Sequence, residues 1–254
     1  MDSAEFYDRM ANEYHLISSN WYSVCESQGQ LLHKLLQNTL SLPGPFRILD
    51  CSCGTGTQAL GLAKLGHDVT GTDISAAAIS RAKQEAMKLG VAPELKVADM
   101  RTLDGVSGPF DAVLSFDNSV AHLTTVADLA FAFSSILHVL RPGGFFLMSL
   151  RDYDRLKQER PTGNMPRRIV DSYGERVYVQ TWDWSEDGKT YDLRLFVLKP
   201  NGESWVSRPL ITKMRAYTRS EIVEEAEKTG FVSCRWLTPE QTGYYQPILV
   251  AKKA

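Results

Sequence analysis

Long apolar segments are missing from this 254-residue sequence. No apolar run approaches the ~20 residues that a membrane-spanning helix needs, and the opening MDSAEFYDRM lacks the basic-then-apolar order of a signal peptide. These absences favour a cytoplasmic protein that does not act at a membrane. Hydrophobic residues make up 43% of the chain, which is enough for a substantial core.

An excess of positive charge is also missing. Lys and Arg number 28 against 30 Asp and Glu, so the net charge at pH 7 is −2. A chain with this balance has no global positive field that would attract a phosphate backbone. We therefore expect no nucleic-acid partner.

Cysteine is scarce, with four residues at Cys25, Cys51, Cys53 and Cys234. They are too few and too scattered for a disulfide framework. Cys51 and Cys53 would point to the same face of a strand, and no second Cys/His cluster completes a metal site. We expect small core residues and no bound metal.

What the sequence does contain is an alternation of strand-like and helix-like segments between Arg47 and Leu150. Such alternation builds a parallel sheet with helices on both faces, which is an α/β fold. Before it, Leu31 to Leu40 shows the apolar spacing of one helical face. Residues 1–46 are therefore predicted to form an N-terminal helical cap.

After Leu150 the pattern changes to strands and tight turns. RVYVQTWDW, YDLRLFVLK and SWVSRPLITKMRAY are strand-like, and Asp187-Gly188 and Asn201-Gly202 are typical of hairpin turns. The sequence thus predicts a core of residues 47–151 and 218–254 with an antiparallel β insertion over 152–217. Since open α/β sheets bind ligands at the carboxyl edge of their strands, we expect the insertion to form a lid there.

The segment RILDCSCGTGTQ places Gly54 and Gly56 between a strand and a helix. Glycines in such a turn either present backbone N–H groups to a ligand or merely shape the turn. Together with Ala59 they fit the G-x-G-x-x-G/A fingerprint of nicotinamide enzymes. Asp50 argues against a nicotinamide dinucleotide, because a carboxylate is poorly placed beside the pyrophosphate of that cofactor. It suits a cofactor that carries positive charge, such as S-adenosylmethionine.

Two further acids end predicted strands. Asp73 could accept hydrogen bonds from both ribose hydroxyls of a nucleoside cofactor, and Asp99 could bind the adenine amino group. Tyr7, Tyr14 and Trp21 recur every seven residues, close to two helical turns. Such a stripe is most often core, but an aromatic face also makes a cation–π contact with a sulfonium.

The segments LDCSCGTG, GTDIS, VADM, FDAVLSFDNS and LRPGGFF resemble, in order and spacing, the motifs of class I S-adenosylmethionine-dependent methyltransferases. Ser52 departs from them, since most members have glycine there. The resemblance implies a Rossmann-like, seven-stranded, mostly parallel sheet and S-adenosylmethionine as cofactor. The implied cofactor contacts are Tyr14, Trp21, Asp50, Ser52, Gly54, Gly56, Asp73, Ile74, Asp99, Met100 and Phe116.

DNSVAHL followed by SLRDYD resembles the substrate-binding segments of glycine and sarcosine N-methyltransferases. This likeness implies that Asn118 and His122 face the amine of a substrate, as catalytic residues, and that Arg151 binds its carboxylate. Histidine titrates in a suitable range for a proton acceptor. N-methylation of a small amine or amino acid is the favoured function. O- or C-methylation of a natural product or other small molecule, and an inactive nucleotide-binding regulatory module, are the alternatives.

Overall fold

The computed structural model describes residues 3–11, 13–18, 20–41 and 43–254. Positions 1, 2, 12, 19 and 42 of the predicted N-terminal cap lie outside the described residues. The α-helices are α1 (Ser3–Met10), α2 (Trp21–Leu40), α3 (Thr57–Lys64), α4 (Ala76–Leu89), α5 (Val126–Val139), α6 (Tyr153–Glu159), α7 (Arg219–Thr229) and α8 (Pro239–Thr242). Short 3₁₀ helices cover Tyr14–Ile17 and Ser119–His122. No helix in the described ranges combines the length and the apolar composition needed to cross a membrane.

Seven strands form the central sheet in the order β3-β2-β1-β4-β5-β12-β11. Strands β1 to β5 run parallel, β12 runs antiparallel to β5, and β11 antiparallel to β12. The predicted Rossmann-like α/β fold is therefore confirmed. The seven strands are β1 (Arg47–Asp50), β2 (Asp68–Asp73), β3 (Glu94–Val97), β4 (Phe110–Ser115), β5 (Leu140–Ser149), β11 (Phe231–Leu237) and β12 (Ile248–Lys253).

The strand order reverses between β1 and β4, so the loops that follow these strands diverge at the carboxyl edge. Open α/β sheets bind ligands at this kind of position. Helix α4 is capped at both ends: the Ser75 hydroxyl accepts from the Ala78 N–H at 3.0 Å, and Gly90 has φ +67°. Helices α2 and α3 meet backbone to backbone, since a Cβ added at Gly61 would lie 2.2 Å from the Cys25 carbonyl oxygen.

The antiparallel insertion forms a second sheet in the order β10-β8-β7-β6, with β9 paired to β8. Two elements were not expected: helix α6, whose first turn Asp152 caps at 3.3 Å from the Arg155 N–H, and strand β6. The expected single strand SWVSRPLITKMRAY is two strands, separated at Pro209, which has no N–H for the ladder. The strands are β6 (Arg167–Asp171), β7 (Gly174–Trp184), β8 (Thr190–Asn201), β9 (Ser204–Val206) and β10 (Leu210–Arg215).

A buried arginine of the insertion, Arg176, bonds to the N-terminal residues. The Arg176 side chain is 1% exposed and pairs with Asp171 at 2.7 Å. Its Nε donates to the Leu16 carbonyl at 2.7 Å, and Nη2 donates to the Ser18 carbonyl at 3.2 Å. Arg176 thus holds the N-terminal residues against the insertion. The insertion meets the carboxyl edge of the central sheet where Arg151, just after β5, donates to the Tyr191 hydroxyl of β8 at 2.8 Å.

Candidate active site

Two cavities open at this edge. The first, of about 420 Å³, lies over the loops that follow β1, β2, β3 and β4. The second, of about 1080 Å³, lies between the N-terminal helices, the end of β5 and the insertion. The two adjoin, because they share the lining residues Tyr7, Tyr14, Thr57, Asp117, His122 and Thr212.

The glycine turn forms one wall of the first cavity. Gly54 lines it with φ +53°, and a Cβ added there would meet no atom within 4 Å. Gly56 does not line it; its φ is +99°, and an added Cβ would lie 2.8 Å from Leu60 Cγ. One glycine therefore faces the ligand space, while the other shapes the turn at the start of α3.

The Asp73 carboxylate, at the end of β2, also lines this cavity. It accepts from the Gly54 N–H and from the Ser75 N–H, each at 2.9 Å. Burial raises its pKa, and the two backbone donors work against that rise. The backbone thus fixes a carboxylate next to the glycine turn, in a position suited to a pair of hydroxyl donors.

Asp50 lies behind this wall and is not among the lining residues. It is 0% exposed; Oδ1 accepts from the Ser52 N–H at 3.3 Å, and Oδ2 has no hydrogen-bond partner among the described residues. Burial is the largest cause that raises its pKa to about 8, and the negative charges of Asp73 and Asp117 add to it. A nearby positive charge would stabilise the ionised form.

Asp99 lines the first cavity but already has a partner. Arg101 Nε donates to its Oδ2 at 2.9 Å, while Arg101 Nη1 donates to Asp128 at 3.0 Å. A ligand amino group would share this carboxylate with the guanidinium. Of the expected cofactor contacts, the cavity is lined by Tyr14, Ser52, Gly54, Asp73, Ile74, Asp99, Met100 and Phe116, and not by Trp21, Asp50 or Gly56.

The charges of the first cavity fit S-adenosylmethionine better than a pyrophosphate cofactor. Its two strongly basic lining residues, Arg101 and Lys213, are each paired with carboxylates, Lys213 with Asp192 at 2.6 Å. No unpaired Lys or Arg among the described lining residues remains for a phosphate. The Asp73 carboxylate favours a ligand with hydroxyl donors, and a positive charge on that ligand would stabilise the ionised form of Asp50 behind the wall.

Arg151 leaves β5 and lines the second cavity. Its Nη1 donates to the Tyr191 hydroxyl at 2.8 Å, its Nη2 donates to Gln180 Oε1 at 3.3 Å, and its Cζ lies 4.7 Å from the Trp182 ring centre. All three partners are neutral. Within the described ranges, no carboxylate lies within 4.0 Å of this guanidinium.

The amide of Asn118 is engaged on both sides. Its Nδ2 donates to the Tyr153 hydroxyl at 2.9 Å, and its Oδ1 accepts from the Arg151 N–H at 3.0 Å. Asn118 lines the second cavity and is 2% exposed. These bonds position the backbone from which the Arg151 side chain extends.

His122 lies where the cavities meet. Its Nε2 is 2.9 Å from the Tyr7 hydroxyl, and its Nδ1 is 3.4 Å from the Thr212 hydroxyl. Burial, together with the positive charge of Arg151, lowers its pKa from 6.5 to about 4. Histidine is therefore neutral here at pH 7, and it is a weaker base than its ordinary pKa suggests.

Several residues at the junction of the cavities were not expected from the sequence. Asp117 lines both cavities and accepts hydrogen bonds from Gln58, Tyr244 and Tyr245. Its place beside Asn118, two residues after the end of β4, was the available signal. The two tyrosines are more than 120 residues away along the chain, so no local pattern connects them with the site.

Known proteins share this architecture. The methyltransferase domain family matches residues 48–144. YqeM of Bacillus subtilis (strain 168), described as a methyltransferase, is 31% identical over 193 residues, which is 75% of each chain. The glycine/sarcosine N-methyltransferase of Halorhodospira halochloris is 29% identical over 189 residues, covering 71% of this chain and 69% of that protein. Among solved structures, S-adenosylmethionine-bound CalS10, an amino pentose methyltransferase from Micromonospora echinaspora, has a TM-score of 0.74 at 20% identity, over 91% of this chain and 92% of that one.

The chain belongs to the class I S-adenosylmethionine-dependent methyltransferases. It is an enzyme, and its cofactor is S-adenosylmethionine, as the resemblance in the sequence implied. The relatives differ in their named acceptors, an amino acid in one and an amino sugar in another. The acceptor of this chain has to be argued from its own second cavity.

Proposed function

We propose that this enzyme methylates the nitrogen of a small amine or amino acid whose carboxylate binds Arg151. The supporting observation is the half-buried guanidinium that has only neutral partners in the described structure. A charge removed from water without a counterion is costly, so an anionic ligand group would gain from binding there.

The neighbouring acids do not fill this role. Asp152 and Asp154 are paired instead with Arg219, at 2.9 and 3.4 Å. The guanidinium fork remains able to donate two parallel hydrogen bonds to a carboxylate, a geometry that lysine does not reproduce.

When bound, S-adenosylmethionine supplies an electrophilic methyl group on a positively charged sulfur. The residues where the two cavities meet would hold the acceptor nitrogen next to the cofactor and exclude water. We assign His122 to orienting the nitrogen by a hydrogen bond, because a group with a pKa of about 4 is a poor proton acceptor for an amine. Asn118 acts as a positioning residue through the Arg151 backbone.

The direct test is methyl transfer to a panel of amines, amino acids and phenols, followed by S-adenosylhomocysteine formation. We expect amines that also carry a carboxylate group to be the best acceptors. Arg151→Lys should raise the KM of the best acceptor by about 10- to 100-fold, because one charge-assisted hydrogen bond is lost. The KM of the cofactor should change little. Arg155→Lys, on the exposed side of α6, is the matched control.

Two outcomes would contradict this proposal. If the carboxamide of the best acceptor is methylated with the same kcat/KM as the acid, Arg151 does not bind a carboxylate. If phenols are methylated faster than every amine, O-methylation is the function.

A further inference from the structure

Asp117 occupies an unusual position at the end of β4. It and the next residue, Asn118, both have positive φ, +56° and +70°, which non-glycine residues rarely adopt. The Asp117 N–H donates to the Ser149 hydroxyl at 2.8 Å, which fixes the turn. Its side chain lines both cavities, so it stands where the methyl donor and the acceptor have to meet.

Three neutral donors hold the Asp117 carboxylate. Oδ1 accepts from the hydroxyls of Tyr244 and Tyr245, the latter at 2.7 Å, and Oδ2 accepts from Gln58 Nε2 at 2.8 Å. Gln58 Nε2 is itself 2.8 Å from Gln28 Oε1, which orients it. A carboxylate offers about four acceptor sites, so one remains for a ligand.

No cation neutralises this carboxylate in the described part of the chain. No Lys, Arg or His nitrogen lies within 4.0 Å of it, Arg151 included. Two other cations line the second cavity, Arg167 and Arg168, but both are exposed to solvent. The less exposed charges of opposite sign are Asp117 and Arg151, each surrounded by neutral hydrogen-bonding groups. That arrangement is complementary to a molecule with an ammonium or amine group at one end and a carboxylate at the other.

We infer that Asp117 accepts a hydrogen bond from the acceptor nitrogen, and that Asp117 and Arg151 together select a zwitterionic acceptor. This inference rests on the proposed N-methylation and adds a specificity-determining residue to it. Asp117 recognises the nitrogen in its ammonium form and, once the ammonium has released a proton to solvent water, through a remaining N–H. A ligand without nitrogen leaves the carboxylate unpaired.

The walls of the second cavity indicate how large the acceptor is. Apolar side chains of α1, β8 and β10 line it, among them Phe6, Met10, Leu193, Leu195 and Met214. Its volume of about 1080 Å³ lies just above the range of about 300 to 1,000 Å³ that is usual for small-molecule pockets, so it has room for more than the smallest amines. Amino acids with apolar side chains are therefore suitable probes.

Binding to the protein saturated with S-adenosylhomocysteine tests the inference without turnover. The probes are L-leucine, L-methionine and L-phenylalanine, each compared by calorimetry with its desamino acid and its decarboxylated amine. We expect the best amino acid to bind at least tenfold more tightly than its desamino acid, the effect of one charge-assisted hydrogen bond. Asp117→Asn should reduce that ratio to below about threefold and leave the affinity of the desamino acid unchanged.

A structural role of Asp117 would give a different pattern. Asp117 also holds the Tyr244-Tyr245 segment, so a merely structural change would weaken the amino acid and the desamino acid equally. Tyr245→Phe, which removes one donor but keeps the carboxylate charge, should retain the preference for the amino acid. Asp104→Asn, at an exposed position, controls for the exchange of a carboxylate for an amide.

The outcomes separate the inference from the proposed function. It is overturned if no amino acid binds more tightly than its desamino acid, or if Asp117→Asn keeps the preference, even when amines are methylated. A preference that depends on Asp117, together with methyl transfer to oxygen alone, would support the binding role and refute N-methylation.

Discussion

The buried carboxyl group of Asp50 should make the stability of the ligand-free protein depend on pH. Asp50 is 0% exposed, its Oδ2 has no partner in the described structure, and burial raises its pKa from 3.8 to about 8. In the unfolded chain an aspartate titrates near 3.9. Between these two values the folded protein holds a proton that the unfolded chain has lost, so stability falls as pH rises.

The magnitude follows from the two pKa values. One pKa unit corresponds to about 1.36 kcal/mol, so the carboxyl group costs about 4 kcal/mol of folding stability at pH 7 compared with pH below 4. Integrated from pH 5 to pH 8, the loss is about 3.5 kcal/mol. His122 acts in the opposite direction: its pKa is lowered to about 4, so its contribution to stability rises with pH between about 4 and 6.5.

Asp50→Asn isolates the effect, because His122 is present in both proteins and cancels in their difference. The free energy of unfolding of the variant, relative to that of the wild type, should increase by about 3.5 kcal/mol when the pH is raised from 5 to 8. The hydrogen bonding of the new amide changes the stability by an amount that does not depend on pH, so it does not affect this difference. Urea unfolding of both cofactor-free proteins, followed by tryptophan fluorescence at several pH values, measures it.

The control is Asp68→Asn, at an exposed position at the start of β2, which should not reproduce the pH-dependent gain. The reasoning is refuted if the stability difference between Asp50→Asn and the wild type stays constant within about 0.5 kcal/mol from pH 5 to pH 8.

Two further substitutions test the cofactor site and the helix contact. Asp73→Ala removes the carboxylate beside Gly54 and should weaken S-adenosylhomocysteine binding by about 2 kcal/mol or more, roughly 30-fold, in calorimetry; unchanged affinity would remove Asp73 from the site. Gly61→Ala places a Cβ 2.2 Å from the Cys25 carbonyl oxygen and should destabilise the fold by about 2 to 3 kcal/mol. The control, Gln30→Ala on the exposed side of α2, should have little effect. Equal melting temperatures for the two variants would contradict the close contact between α2 and α3.

The core of the fold is predictable from the sequence because its signals are local. The segments RILD and DVTGTD coincide with β1 and β2, since short apolar runs between turn residues are typical of buried parallel strands. Ser75 and Gly90 delimit α4 by side-chain capping and a left-handed backbone. The acid at the end of β2 lies in the first cavity because parallel strands end at one edge of the sheet.

The partners of the site residues were not predictable, because they come from distant segments. Arg101, two residues after Asp99, takes up much of its hydrogen-bonding capacity, and a sequence pattern does not show whether such neighbours bond. The low pKa of His122 arises from burial and from Arg151, neither of which is local. Helix α6 was not predicted, because seven residues are too few to show a helical period.

Three ionisable groups at the site lower the folding stability of the ligand-free protein. Asp50 has a buried oxygen without a donor, Arg151 has no carboxylate partner, and Asp117 has no cation partner, all within the described residues. Each arrangement costs folding stability, and a hydrophobic side chain of similar size would avoid the cost. A ligand of complementary charge recovers part of it, because it supplies the missing counterion in a region shielded from water. The positive cofactor suits the acids beside the first cavity, and the proposed zwitterionic acceptor suits Asp117 and Arg151 in the second. Binding of the two ligands therefore assembles the electrostatic environment that the folded chain leaves incomplete.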